Sequence, residues 1–300
     1  MSTRAIIVGT DGTESSKAAV DWAAREARLR HLPLRIMHVF EWVWVDAHYD
    51  IGGESLDFAR GFAEAVSAAA LDRARAVAPE IECTRDTVVG HATPELIAAS
   101  QGAELMVLGH RGRGGFAGLG LGSVSQRVAT HAKCPVVVVR GDGDFVEGPV
   151  VVGVDDSPAA DHVLETAFEV AAGRDCVLTV VRAYLPAVPS WLARVRATEV
   201  ETPEQDAAER ARLEEEVAPW RDKFPDVPVE IVLTHDSAAS ALVGLSSRAC
   251  LVIVGSHGHG VLAGALLGSA GLQLLHHASC PVYVVRHGSR RIGGTPRPRV

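Results

Sequence analysis

Two stretches of this sequence share one spacing of glycine and serine. GHRGRGGFAGLGLGS spans 109–123 and GSHGHGVLAGALLGS spans 255–269, and both read G-x2-G-x9-G-S. Glycine admits positive φ and lets a ligand come close to the backbone. In each stretch the last glycine and its serine, Gly122–Ser123 and Gly268–Ser269, are placed to open a helix. The first amides and the dipole of such a helix favour an anion, above all a phosphate. A carboxylate also recurs, Asp11 beyond IIVG and Asp155 beyond VVVG. It can accept hydrogen bonds from ribose hydroxyls or a base amine, and it is equally an ordinary helix N-cap. Better-known phosphate loops do not fit. The only lysines are Lys17, Lys133 and Lys223, none in a G-x4-G-K-[ST] setting, and GTDGTE after the first strand is not G-x-G-x-x-G.

The elements that must position these residues occur twice. Residues 5–27 align with 149–171 at an offset of 144, and 104–140 align with 250–286 at an offset of 146. Such a period is far longer than the roughly 20–50 residues of a solenoid repeat, so a whole domain is duplicated. The expected domains are 1–141 and 149–287, joined through GDGDFVEG (141–148) and followed by a disordered basic tail, 288–300. In the first copy, short β-branched runs predict strands at 6–9, 34–40, near 81–89, 105–109 and 135–140. Helices are expected after Thr13 or Ser15, over about 54–78, from Pro94 to 101, and from Gly122 onward. The second copy repeats the order, with strands near 149–154, 177–184, 229–234, 251–255 and 281–286. Alternating strands and helices define an α/β fold with a mostly parallel sheet, helices on both faces and ligands at the C-terminal strand ends. PVVVV (135–139) and PVYVV (281–285) read as edge strands. Pairing 135–140 with 281–286 within the chain would hide both edges and give pseudo-twofold symmetry, while a homodimer of whole chains stays open.

With an Asp after strand one and G-x2-G-x9-G-S after strand four, the chain resembles the universal stress protein family of the ATP-binding type, in tandem form. The resemblance spans all but the linker and the tail. It implies two doubly wound, Rossmann-like five-stranded parallel sheets of order 3-2-1-4-5, with ATP and Mg²⁺ between the ends of strands one and four. Carried over residue by residue, Thr10 and Asp11 would face adenine and ribose, with Val39 against the base. Gly109, Arg111 and Gly112 would hold the ribose and first phosphate. Gly122, Ser123, Val124 and Ser125 would cradle the outer phosphates. Arg113 is added on chemistry alone, as a guanidinium able to pair a phosphate bidentately. The second site would use Val154, Asp155, Ala183, Gly255, His257, Gly258, Gly268 and Ser269. That copy departs from the pattern: Gly12 becomes Asp156, and Arg111 and Arg113 become His257 and His259. Neutral imidazole offsets phosphate charge poorly, so the first site is expected to bind more tightly.

Composition bounds the alternatives. Three hundred residues at 47% hydrophobic fit two domains with real cores, and a net charge of −8 argues against nucleic acid as a partner. No run approaches a membrane span and no signal peptide is evident, so a cytoplasmic location is expected. The five cysteines form no C-x-x-C and sit beside apolar residues, as buried small hydrophobes would. The histidines 257, 259, 276 and 277 have no carboxylate or thiol at ligand spacing, so no metal site is expected. FEWVWVDAHYD (40–50) carries two of the five tryptophans and is expected to pack over the sheet edge. No general base recurs in both copies, so the expected role is a nucleotide-dependent sensor or regulator in stress response or growth arrest, acting on an unidentified protein partner. A slow ATPase or nucleotidyl transferase is the enzymatic alternative, and a scaffold with a decayed second site is another.

Overall fold

The computed structural model describes residues 4–41, 54–112, 120–141, 147–187, 202–256 and 267–286. The tail beyond 286, most of the linker and the two-tryptophan segment lie outside these. The first copy runs β1 (Ile6–Gly9), α1 (Glu14–Arg30), β2 (Leu34–Phe40), α2 (Glu54–Val77), β3 (Cys83–Val89), α3 (Ala92–Ala99), β4 (Leu105–Gly109), α4 (Ser123–His131) and β5 (Val136–Val139). The second runs β6 (Val150–Gly153), α5 (Ala160–Arg174), β7 (Leu178–Ala183), α6 (Pro203–Lys223), β8 (Val229–Thr234), α7 (Ala238–Ser246), β9 (Leu251–Gly255), α8 (Ser269–His277) and β10 (Val282–Val285).

The strands form one ten-stranded sheet of order β3-β2-β1-β4-β5-β10-β9-β6-β7-β8. Each half is parallel in the order 3-2-1-4-5, and the halves join antiparallel through β5 and β10, with Tyr283 opposite Val137. The strands that would end each half thus become the centre of the whole, and Val136–Val139 and Val282–Val285 are buried. Two fully covered faces explain why these runs are continuously apolar rather than alternating. On one face Ile6, Val8, Ile36, Val137, Val150 and Tyr283 belong to a core that α1, α2, α5 and α6 cover. On the other, Ile7, Met37, Val136, Val138, Val282 and Val284 pack with α3, α4, α7 and α8.

Two sets of charged residues stitch the seam. Arg140 donates from Nε to Ala278 O at 2.8 Å and from a terminal nitrogen to Leu275 O at 2.7 Å and Gly120 O at 2.6 Å. Its counterpart Arg286 donates to Ala129 O. Each arginine therefore satisfies carbonyls at the C-terminal end of the other copy's helix, where positive charge also suits the dipole. On the opposite face Glu26, only 2% exposed, is held by Arg30 of its own helix at 2.5 Å and by Arg174 of the second copy. Cys134, Cys250 and Cys280 are buried as expected, but Cys83 and Cys176 are only half-buried, since both stand at the sheet's N-terminal margin before the helices close over it.

Candidate functional site

The first candidate site is built where β1 and β4 end side by side. Thr13, with extended backbone, caps α1 by accepting from Ser16 N through its side chain. Asp11 is not the cap. Its Oδ1 accepts from Thr13 N at 3.1 Å and Thr13 Oγ1 at 2.7 Å, which closes a tight turn through Gly12, whose φ is +82°. That turn needs glycine, and the repeat places Asp156 there in the second copy. Thr10 is buried, with Oγ1 3.1 Å from Ser16 Oγ and accepting from Gly12 N at 3.3 Å. Val39, half-buried near the end of β2, packs against the core that α3 and α4 cover.

The loop after β4 is pressed against this turn. A Cβ on Gly109 would meet Ser15 O at 2.5 Å, so only glycine lets β4 end this close to α1. Arg111 N donates to Ser15 Oγ at 3.1 Å, and Ser15 Oγ lies 3.0 Å from His110 Nδ1. A Cβ on Gly112 would lie 2.7 Å from Asp11 Oδ2, which brings the carboxylate and the second glycine of the motif together. Gly122 returns to the same place: its amide donates to His110 O at 2.7 Å, and a Cβ there would sit 3.6 Å from Gly112 N. Gly122 is the N-cap of α4 and offers no side-chain cap. The first backbone bond of that helix is Gln126 N to Gly122 O, so the amides of Ser123, Val124 and Ser125 precede the intrahelical ladder. Ser123 is exposed and Val124 half-buried, whereas Ser125 Oγ donates to Gly109 O at 2.6 Å and ties the helix to the strand end. Arg111 is exposed. Burial, with the charges of Arg140 and Arg111, holds the His110 imidazole below its ordinary pKa. The structure thus gathers Thr10, Asp11, Gly109, Arg111, Gly112 and Gly122–Ser125 around one crevice. Arg113 lies outside the described residues.

The second copy repeats the frame with different contents. Val154 is buried, Asp155 Oδ1 accepts from Ser157 N at 3.1 Å, and Gly255 ends β9 beside Val285. Ala183 ends β7 opposite Thr234. Gly268 caps α8 without a side chain, and its amide donates to Ser256 O at 2.9 Å, repeating the geometry of Gly122. Ser269 is exposed. His257 and Gly258 lie outside the described residues.

Sequence reasoning missed three contributors. Ser15 bridges the two loops, Ser16 holds Thr10, and His38 places Nδ1 2.7 Å from Thr10 O. A histidine inside the run IMHVF of β2 was the available signal for the last.

With this geometry in view, comparison with known proteins is informative. The sequence profile of the Universal stress protein family matches residues 2–140 and again 148–286. A universal stress protein of Mycobacterium tuberculosis is 36% identical over 301 residues, covering 94% of this chain and 96% of the relative. One from Mycolicibacterium smegmatis is 34% identical over 298 residues, with 94% and 96% covered. The crystal structure of a universal stress protein from Archaeoglobus fulgidus superimposes with a TM-score of 0.71 at 20% identity, over 96% of this chain and 100% of that one. The chain belongs to the universal stress protein family, as a tandem of two family domains. No helix among the described residues is long and apolar enough to cross a membrane.

Proposed function

We propose that this protein is a cytoplasmic nucleotide-dependent regulator of the stress response or growth arrest, holding ATP with Mg²⁺ in the crevice between β1 and β4. The observation that carries the reading is the meeting of three parts: the Asp11 carboxylate, the Gly112 backbone within one methyl of it, and the α4 N-terminus at Gly122, which has no side-chain cap. A carboxylate suits ribose hydroxyls, and amides ahead of a helix suit phosphate oxygens. The residues present therefore fit a nucleotide. Asp11 would take the sugar, Thr10 and Val39 would border the base, and Gly112 would let the first phosphate approach the chain. The amides of Ser123 and Val124 would take the outer phosphates, with Arg111 supplying positive charge. Mg²⁺ would neutralise phosphate charge when bound.

The carboxylate that recurs in both copies, Asp11 and Asp155, is assigned to the sugar, and His110 has Ser256 as its counterpart, so no general base recurs among the described residues. The reading is therefore a sensor, whose occupancy orders the glycine loops and alters what a protein partner meets. The test is mass spectrometry of small molecules released by denaturing the purified protein, followed by calorimetric titration with MgATP. An adenine nucleotide released, and ATP binding lost in Asp11→Ala, would support the reading. A folded protein that neither retains nor binds adenine nucleotides would refute it. Turnover well above the uncatalysed rate would favour a slow ATPase instead.

A further inference from the structure

The two crevices differ most at a residue that no motif marks. Arg182 in β7 stands where β2 has His38, since Val181 and Met37 pair with Gly153 and Gly9 in the same register. It is 2% exposed although it carries a guanidinium. One terminal nitrogen lies 3.2 Å from Glu209 Oε1, 3.1 Å from Glu216 Oε1 and 3.2 Å from Asp156 Oδ1. The other donates to Glu216 Oε2 at 2.5 Å and to the backbone carbonyl of Asp155 at 3.4 Å. Arg212 extends the cluster to Asp156 at 3.5 Å and Glu216 at 3.7 Å.

The first copy has none of this. At the offset of 146, Glu209 and Glu216 fall on Ala63 and Ala70, both buried, and Arg212 falls on Val66. The strand that follows keeps this offset, since Leu34 pairs with Cys83 and Leu178 with Val229, and buried Ser67 coincides with buried Leu213. Asp156 falls on Gly12. Among the described residues, Asp156, Glu209 and Glu216 against Arg182 and Arg212 leave one more carboxylate than cation, where Gly12, Ala63 and Ala70 bring no charge to the first copy. A buried charge held by several partners resists rearrangement, because freeing one leaves another unpaired in low dielectric.

We propose that Arg182 decides which copy binds: its ion cluster locks the Asp155–Asp156 turn and closes the second crevice to polyphosphate nucleotides, so each chain takes one nucleotide, in the first copy. The inference rests on the nucleotide reading of the first crevice. Two effects act together. The turn that would offer Asp155 to a ribose is tied by its own carbonyl to Arg182, and the surplus negative charge opposes an anionic ligand.

The test is calorimetric titration of the full chain with MgATP, read as stoichiometry. One site per chain is expected, and Asp11→Ala should abolish it. Installing the first-copy residues, Asp156→Gly, Arg182→His, Glu209→Ala and Glu216→Ala together, should raise the stoichiometry to two. If that variant does not fold, Glu216→Gln alone should strengthen second-site binding at least tenfold in the Asp11→Ala background. Two sites of equal affinity in the unaltered chain, or no gain in either variant, would overturn the inference while leaving the nucleotide reading intact. A chain that binds no nucleotide would refute that reading, and this inference with it.

Discussion

Adding a single methyl at Gly112 probes whether the carboxylate at the end of β1 faces a ligand. The new Cβ would lie 2.7 Å from Asp11 Oδ2 and 3.8 Å from its Cγ, well inside contact distance. Gly112 is not among the positive-φ glycines, so the backbone tolerates alanine and the conflict falls on the carboxylate alone. Asp11 does not move freely, because Oδ1 holds Thr13 N and Thr13 Oγ1. A hydrogen bond to a charged group is worth about 1.5–3 kcal/mol, and one such bond is what the turn would lose. Thr13 still caps α1 through Ser16 N, so the helix keeps its start. A cost near 2 kcal/mol lowers the thermal midpoint of a protein this size by about 3 °C. A displaced carboxylate would also forfeit its bond to the ribose, and 1.5–3 kcal/mol corresponds to about 10- to 150-fold weaker ATP binding. Calorimetry with MgATP reads the affinity and thermal denaturation confirms folding. Unchanged ATP affinity in a folded Gly112→Ala protein would show that Asp11 does not contact the nucleotide. Gly109→Ala is the contrast: its Cβ would strike the Ser15 carbonyl, which cannot rotate away, so it should lose about 1–3 kcal/mol of stability through overpacking.

Other outcomes follow from the seam. Arg140→Ala removes three bonds to carbonyls, two of them in the other copy, and should cost about 2–4 kcal/mol and broaden the urea transition as the halves uncouple. Glu26→Gln should cost about 3–5 kcal/mol at neutral pH, because it leaves two arginines without their carboxylate. Burial alone would push the Glu26 carboxyl up, yet Arg30 and Arg174 outweigh it and hold the group below its ordinary 4.5. Its contribution is thus present above that value and lost as pH falls below it, so thermal midpoints of wild type and variant should converge in acid. Glu169 behaves oppositely. Burial, reinforced by the Glu165 charge, raises it to about 7, so the wild type loses stability as pH rises from 4.5 to 7. Glu169→Gln should match wild type near pH 4.5 and melt at a higher temperature at pH 8.

What was legible in the sequence followed from local rules. The runs IIVG and LMVLG became β1 and β4, Thr13 became a cap, and Gly122 opened α4. The repeat located the matching elements, and the need to hide two strand edges anticipated the seam. Asp11 could be read as cap or ligand group, and only the Gly112 contact shows both motif loops meeting at it. The Arg182 cluster was not legible, because its members are spread over β7, α6 and the turn after β6. Nothing within α6 sets Glu209 and Glu216 apart from its other charged residues. Likewise nothing in α1 reveals that Arg174 of the other copy will pair with Glu26. Charges whose partners are distant in sequence carry no periodic signature.

The clamp on Glu26 has a consequence for why two halves are worth joining in one polypeptide. Arg30 and Arg174 occupy matching positions, but Val170 stands where Glu26 stands. Two identical halves meeting about a true twofold axis would bring either a pair of glutamates or none to that contact. First halves alone would bring two glutamates and two arginines there, second halves alone two arginines and no acid, and the fused chain has one glutamate between two arginines. Fusion frees the two sides to differ at this contact, and the pairing of unlike halves is written into one chain.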